Sequence, residues 1–527
     1  MISGASQGLV VTLTNSFESP FDNAIATART CYSSKGIVGA TDVRGEGLPA
    51  AERQSALARR DALAESIFRA GHHTPFQHAT FQFALAGISR HFIWSFLHSH
   101  PFYNSEQVSQ RYVRVEPGAI VVPAMPAPAR AIFLGVVEGA RGPYRRQRKL
   151  GSEAVGREYY ERFRNRRGTR RGRSDVLKLS QEAARYVLPV ATTASLYHTI
   201  SGITLLRYHR LVNQLDTLQE QRRVVGARIA EVLRHDPAFL RVVDDPLPLE
   251  QTPEHAMLGG LHASGRPPSA SLVAEFDACL AGRVSRLVDW KAKNEEILAG
   301  AVREVLGLGA AELTDDDAIA VALDPARNPL LGETLNLTTH SKLGRTLFHP
   351  SYTFRKRLSH TADSQDQRHR LTPASRPVLL AGFPEEPDFV RPALFEDAGE
   401  LRKELDASMA RTWEGIARAR GAGASAEAAS YLLPNAVAIR FTESGDLLAL
   451  RHKHAMRLCY NAQEEIWRAS RDEAEQIRGI NPRIGRHLLP PCGLRAGSAT
   501  RPICPEGERY CGVPVWRIPP EEWRRTI

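Results

Sequence analysis

The residues best suited to chemistry in this chain are those that could hold an anionic, planar ligand. Ser109-Gln110-Arg111-Tyr112 sets a hydroxyl and a guanidinium two positions apart. In extended backbone both point to the same side. A hydroxyl beside a guanidinium fork suits a phosphate or a carbonyl-bearing base. Arg185, directly before Tyr186-Val187-Leu188-Pro189, and Arg457, in a helical stretch, are further cations for such a ligand. In Gly71-His72-His73-Thr74-Pro75-Phe76-Gln77-His78, His72 and His78 flank a Thr-Pro turn. They either face an anionic or aromatic ligand or satisfy the loop's own backbone.

The cysteines form a second candidate group. Of six in the chain, Cys459, Cys492, Cys504 and Cys511 fall near its end. Four thiolates are enough for a closed tetrahedral zinc site, with His487 an alternative to Cys459. Buried free thiols are the other reading. His360, Asp363, Asp366 and His369, spaced by threes, form either a metal stripe or a polar helix face.

The elements that must position these groups read as α+β. Ala79 to Leu85 alternates apolar and polar residues, which predicts a strand, and Ile88 to Leu97 reads as a helix entry. Leu272 to Leu306 has a helical pattern. After Asp446, one long helix is expected: Leu447, Leu450, His454, Leu458, Ala462, Ile466 and Ala469 form a single apolar stripe.

Motifs recur in the same order. Tyr186-Val187-Leu188-Pro189 is followed by Gln219, and Tyr431-Leu432-Leu433-Pro434 by Gln463 at nearly equal spacing. Ser109-Gln110-Arg111-Tyr112 and Asp366-Gln367-Arg368-His369 precede them. This predicts a tandem duplication. The first domain spans 1–241 and the second 271–480, joined by a Pro/Gly-rich connector over 242–270, with a Cys-rich tail at 481–527.

The net charge of +11 is concentrated: residues 141–173 hold 13 Lys/Arg against 3 Glu. This basic insertion reads either as a solvated face or as a patch attracting nucleotides or nucleic acid. No uninterrupted apolar run reaches the roughly 18 residues a spanning helix needs. Residues 1–13 carry no basic leader. A cytoplasmic protein with no membrane association is expected.

Taken in order, these segments resemble the flavin-dependent thymidylate synthase family. Ala28-Arg29-Thr30-Cys31-Tyr32-Ser33-Ser34 is similar to its opening helix and Cys-Tyr turn, and Gly71 to His78 to its Gly-His-x-Ser/Thr-Pro-x-x-His loop. Glu106 to Tyr112 resembles the end of its signature, Arg-His-Arg followed after an interval by Ser-x-Arg-Tyr. Arg185 to Pro189 resembles Arg-x-x-Leu-Pro, and Ala462-Gln463-x-Glu465-Ile466 its Ala-Gln-x-Glu-Ile helix, with Arg457 six residues ahead of the glutamine.

The resemblance implies reductive methylation of dUMP or a related uracil-containing substrate, with FAD, NADPH and methylenetetrahydrofolate. It implies that Ser109 and Arg111 orient or polarise the base, that Arg185, Arg457 and Gln463 bind the nucleotide, and that His72, His78, His100 and Glu106 line the flavin site. A homodimer would then hold four copies of the fold. The departures are specific. Ser99-His100-Pro101 stands at the Arg-His-Arg position, Asn213 where the second copy has Arg457, Ser430 where the first has Arg185, and Asp366 where the first has Ser109. These complementary losses predict one nucleotide site shared between the copies. The rival expectation is a non-catalytic nucleotide-binding or scaffold protein that has lost its flavin.

Overall fold

The computed structural model describes residues 8–115, 118–263, 270–381, 386–396, 399–525 and 527. The connector's Gly265-Arg266-Pro267-Pro268 and the first seven residues of the N-terminal segment lie outside them; Pro253–Ala263, inside the expected connector, is helical. Among the described residues no helix is long and apolar enough to cross a membrane.

Among the described residues, two four-stranded antiparallel sheets organise the chain. The first contains β1 (Val10–Ser16), β2 (Thr80–Ser89), β3 (Asn104–Gln107) and β4 (Thr193–Ser201), in the order β1-β2-β4-β3. The second contains β5 (Ser285–Trp290), β6 (Ser351–Ser359), β7 (Ala374–Ser375) and β8 (Ala438–Asp446), in the order β5-β6-β8-β7. Alternation builds them. In β2, Phe81, Phe83 and Leu85 point inward and are buried while Thr80, Gln82 and Ala84 are half-buried. In the second sheet the inward positions include charges, Lys356 on β6 and Glu443 on β8, both fully buried.

Long helices cover the sheets: α1 (Ala127–Arg162), α2 (Arg170–Ala184), α3 (Gly202–Arg210) and α4 (Leu218–His235), then α5 (His360–Asp366), α6 (Gly399–Gly421), α7 (Leu447–Arg457) and α8 (Glu464–Ile480). The basic insertion is α1 running into α2. Its helix packs on α6, where Gly415 admits Val136 at a distance no side chain would allow.

Two helical expectations are corrected. Leu272 to Leu306 is not one helix. Ala281 and Gly282 both adopt positive φ, 50° and 79°, ending a helix over Ala270–Leu280 before β5 begins. The stripe after Asp446 is likewise interrupted between α7 and α8. Leu458 and Ala462 stay buried in the turn, so the periodicity runs on through a break in the backbone.

The sheets meet along a seam of reciprocal contacts. Val190 N–H donates to Leu433 O (2.8 Å) and Ala191 N–H to Tyr431 O (2.9 Å). In return Asn435 N–H donates to Leu188 O (2.8 Å) and Ala436 N–H to Tyr186 O (3.0 Å). Pro189 faces Pro434 at the centre. The largest core cluster spans this seam, with Trp94, Tyr186 and Val190 packed among Leu358, Met409, Trp413, Leu433 and Ile439.

Candidate active site

The seam sets the counterparts of the two halves. Ser89 caps the turn after β2, its hydroxyl accepting from Phe92 N–H, and Ser359 does the same after β6 towards Ala362. Each serine gives its own N–H and O–H to a buried glutamate: Ser89 to Glu220 (both 2.6 Å), Ser359 to Glu465 (2.5 and 2.7 Å). Each glutamate then accepts from the tyrosine of the opposite half, Tyr431 on Glu220 (2.7 Å) and Tyr186 on Glu465 (2.5 Å). Glu220 is as far along the chain from Tyr186 as Glu465 is from Tyr431. Gln463 is therefore matched by Leu218, not Gln219, and Arg457 by Val212, not Asn213.

The strand ladders correct a second pairing. Ser105 on β3 faces His198, the sixth residue of β4; Ala374 on β7 faces Glu443, the sixth of β8. Counting from that register, Ser109 is matched by Val378 and Arg111 by Leu380, not by Asp366 and Arg368. Ser99-His100-Pro101 is matched by Arg368-His369-Arg370. An Arg-His-Arg tripeptide thus stands in the second half at the place Ser99-His100-Pro101 takes in the first. In the sequence it is a plain tripeptide, and only the β7–β8 register identifies its partner segment.

These arginines face the Ser109 segment. Arg368 donates to Ser105 O (2.6 Å) and lies 3.4 Å from the exposed Glu106 carboxylate. Arg370 reaches Asn104 Oδ1 (3.1 Å) and Pro101 O (3.3 Å) and lies over the Tyr103 ring. Arg111 pairs with Glu182 on α2 and donates to Asn461 O (2.9 Å) in the turn between α7 and α8. The helix break thus presents a carbonyl to the first half. Half-buried Ser109 accepts from Arg111 N–H (3.2 Å). Arg457, at the end of α7, donates to Gln365 O (2.8 Å). Burial, together with the charges of Arg111 and Arg368, pushes its pKa down to about 10.

Arg185 is 4% exposed, and its Nε and Nη2 find no hydrogen-bond acceptor among the described residues; Arg457 Nε is in the same state. Orphaned guanidinium donors are costly, and an anion would satisfy them. Gln463 is buried and fixed on both sides: Gln365 donates to its Oε1 (2.5 Å) and its own amide donates to Tyr186 (2.8 Å). A small cavity of about 40 Å³ opens among Glu182, Tyr186, Gln463 and Glu464, with Ile527 on its wall. Ser109, Arg111, Arg185, Arg457 and Gln463 therefore share one neighbourhood with Arg368.

Behind it lies a charge network that the sequence reading missed. Lys356 contacts Asp366 (3.1 Å), Glu443 (2.9 Å) and Glu473 (2.7 Å), while Lys453 contacts Asp366 (2.8 Å) and Glu443 (2.6 Å). Its period-two signal was present in β6 and β8, where Lys356 and Glu443 occupy inward positions. Asp366 is thus an ion-pair partner, and Asp363 pairs with Arg376. The spaced-by-threes metal stripe does not form.

The histidines lie elsewhere. His72 and His78 are exposed at the Thr80 end of β2. His100 contacts the Tyr208 hydroxyl through Nε2 and accepts from Phe102 N–H through Nδ1, with its pKa lowered to about 4 by burial. Both its ring nitrogens are committed to the protein.

Zinc is also corrected. Cys459, Cys492, Cys504 and Cys511 are half-buried free thiols, and burial raises Cys459 to about 11 and Cys492 to about 12. They share a corner, but among the described residues no three His, Cys, Asp or Glu side chains gather closely enough to hold a metal ion. Cys492 and Cys511 pack against the core instead, and His487 is tied to Arg486.

The chain is similar in sequence to several known proteins. A flavin-dependent thymidylate synthase from Clostridium tetani is 24% identical over 261 residues, spanning 49% of this chain and 95% of that protein. One from Geobacter sulfurreducens is 30% identical over 173 residues, spanning 32% and 70%. Among solved structures, a UMP/dUMP methylase, PolB from Streptomyces cacaoi, bound with 5-Br dUMP, matches 45% of this chain and 98% of its own at 21% identity and a TM-score of 0.29. The family model for thymidylate synthase complementing protein matches residues 12–238 and 286–483, most of the chain. Matched by that model over more than half of its length, the chain belongs to the thymidylate synthase complementing protein family.

Proposed function

We propose that the chain is a tandem duplication of this family's fold that methylates dUMP, or a closely related uracil nucleotide, at one composite site. The shared strand order and the reciprocal Tyr–Glu–Ser contacts support the duplication. The observation that carries the site is the meeting of Arg111 and Arg185 from one half with Arg368 and Arg457 from the other, with guanidinium nitrogens left unpaired. Arg185 and Arg457 bind the phosphate, Arg111 and Ser109 orient the base, and Gln463 is held by Tyr186 at the floor.

The two thymidylate synthases named above are flavin-dependent, and part of this chain fits such a cofactor. Arg370 has no carboxylate partner among the described residues, and with Arg368 it supplies two cations on the β3 rim for a diphosphate. When bound, reduced flavin supplies the hydride, methylenetetrahydrofolate the carbon unit, and NADPH the reducing power. The engaged nitrogens of His100 favour a second reading, a nucleotide-binding protein without flavin. Titration with dUMP, FAD absorbance of the purified chain and rescue of a thymidine-requiring bacterium separate the two. Nucleotide binding without flavin or rescue selects the second; no dUMP binding defeats both.

A further inference from the structure

The same register that builds the composite site generates a matching position on the other side of the seam, where the cations are gone. Ser99 stands for Arg368, Val212 for Arg457, Leu380 for Arg111 and Val378 for Ser109. The space has not collapsed. A cleft of about 310 Å³ remains, walled by Trp94, Ser95, Leu215, Asp216, Pro377 and Val378, within the size range of small-molecule sites.

Its one cation is neutralised, and its buried wall carries a carboxyl group where its counterpart has arginines. Arg376 also lines the cleft, but its Nε and Nη2 are both taken by Asp363 (2.7 and 2.8 Å). Asp363 additionally accepts from the Trp94 indole (2.7 Å). Asp216 is 6% exposed, contributes to the wall, and accepts from Leu380 N–H through Oδ1 (3.0 Å). Its backbone is held at φ 82°, a left-handed conformation that few residues other than glycine tolerate. Glu254 adds a second carboxylate at the exposed rim. Carboxylates, hydroxyls and apolar walls exclude a phosphate and attract N–H donors.

We infer that this cleft is a second ligand site, for a small organic molecule that is cationic or neutral and presents N–H donors to Asp216 from an apolar body. It is separate from the nucleotide site, so either can fail alone.

Benzamidine and benzoate share a ring and a size but differ in charge, and saturation-transfer NMR on the full chain at pH 8, where Asp216 is ionised, reads binding of each. Benzamidine is expected to bind and benzoate not. Asp216→Asn, the substitution best able to keep a positive φ, should weaken benzamidine at least tenfold. Ser99→Trp at the rim should block it, and both variants should bind dUMP as the parent does. No benzamidine binding, equal binding of benzoate, or full binding retained by Ser99→Trp or by folded Asp216→Asn would overturn the inference. So would loss of dUMP affinity in a folded variant. If Asp216→Asn does not fold, Ser99→Trp decides.

Discussion

Tyr186 and Glu465 are joined by a phenol–carboxylate hydrogen bond that crosses from one sheet to the other, and Tyr431 and Glu220 repeat it in the opposite direction. Only the first bond also contacts Gln463. Tyr186→Phe and Tyr431→Phe should therefore each lower stability, by about 1–3 kcal/mol, because a buried carboxylate loses a donor. Only Tyr186→Phe should weaken dUMP binding. Urea unfolding and calorimetric titration of the two variants check this, and equal nucleotide affinities would count against the asymmetry.

Arg185→Ala and Arg457→Ala remove cations with unpaired nitrogens. Each should cost about 1.5–3 kcal/mol of dUMP affinity, or roughly 10- to 100-fold in Kd. Deoxyuridine, which lacks the phosphate, should lose much less. Arg368→Ala, in the Arg-His-Arg tripeptide of the second half, should behave like Arg457→Ala. An Arg368→Ala variant with parental Kd would remove that tripeptide from the site.

The buried network should fail sharply when broken on one side. Lys453→Met leaves Asp366 and Glu443 with one ammonium between them and should cost about 3–5 kcal/mol. Its acid limb follows from the carboxylates: the paired lysines hold Asp366 well below the ordinary range and Glu473 at about 2. Both are depressed, so their contribution is complete above the ordinary carboxylate pKa and is lost as pH falls towards 2, while burial raises Glu443 in the same network and offsets part of it. Denaturant midpoints between pH 6 and pH 2 should drop more steeply in the parent than in Lys453→Met.

Asp216 has the opposite sign. Burial raises it from 3.8 to about 7, so the folded state holds its proton longer than the unfolded one. Relative stability is highest below pH 4 and declines as pH rises to 7. Glu427 adds to the shift and the Leu379 and Leu380 amides oppose it. Asp216→Asn should match the parent at pH 4 and exceed it at pH 8 by on the order of 2 kcal/mol. Melting curves at the two pH values decide it.

The residues proposed for the site are legible in the sequence because they sit in short local patterns. Ser109 and Arg111 stand two apart, Arg185 adjoins its proline motif, and Arg457 and Gln463 flank one turn. What was misread depended on pairing between distant segments. β7 is only two residues long and offers no alternation to read, so Arg368-His369-Arg370 could not be aligned with Ser99-His100-Pro101 until the ladder to β8 was seen. Spacing to glutamine rather than glutamate misplaced Arg457 by one position. The cysteine tail shows the complementary limit: four thiols close in sequence occupy separate short elements, and nearness along the chain does not set coordination distances.

The contact between Pro189 and Pro434 lies within one polypeptide. A subunit boundary of the same shape would loosen on dilution, whereas this one is held by its tether at a constant effective concentration. Its integrity is indifferent to how much protein the cell makes. On the proposed duplication, a covalent tether also frees the two walls from identity: a substitution in one is not copied into the other, which leaves one side free to keep the composite site while the other takes up a different task.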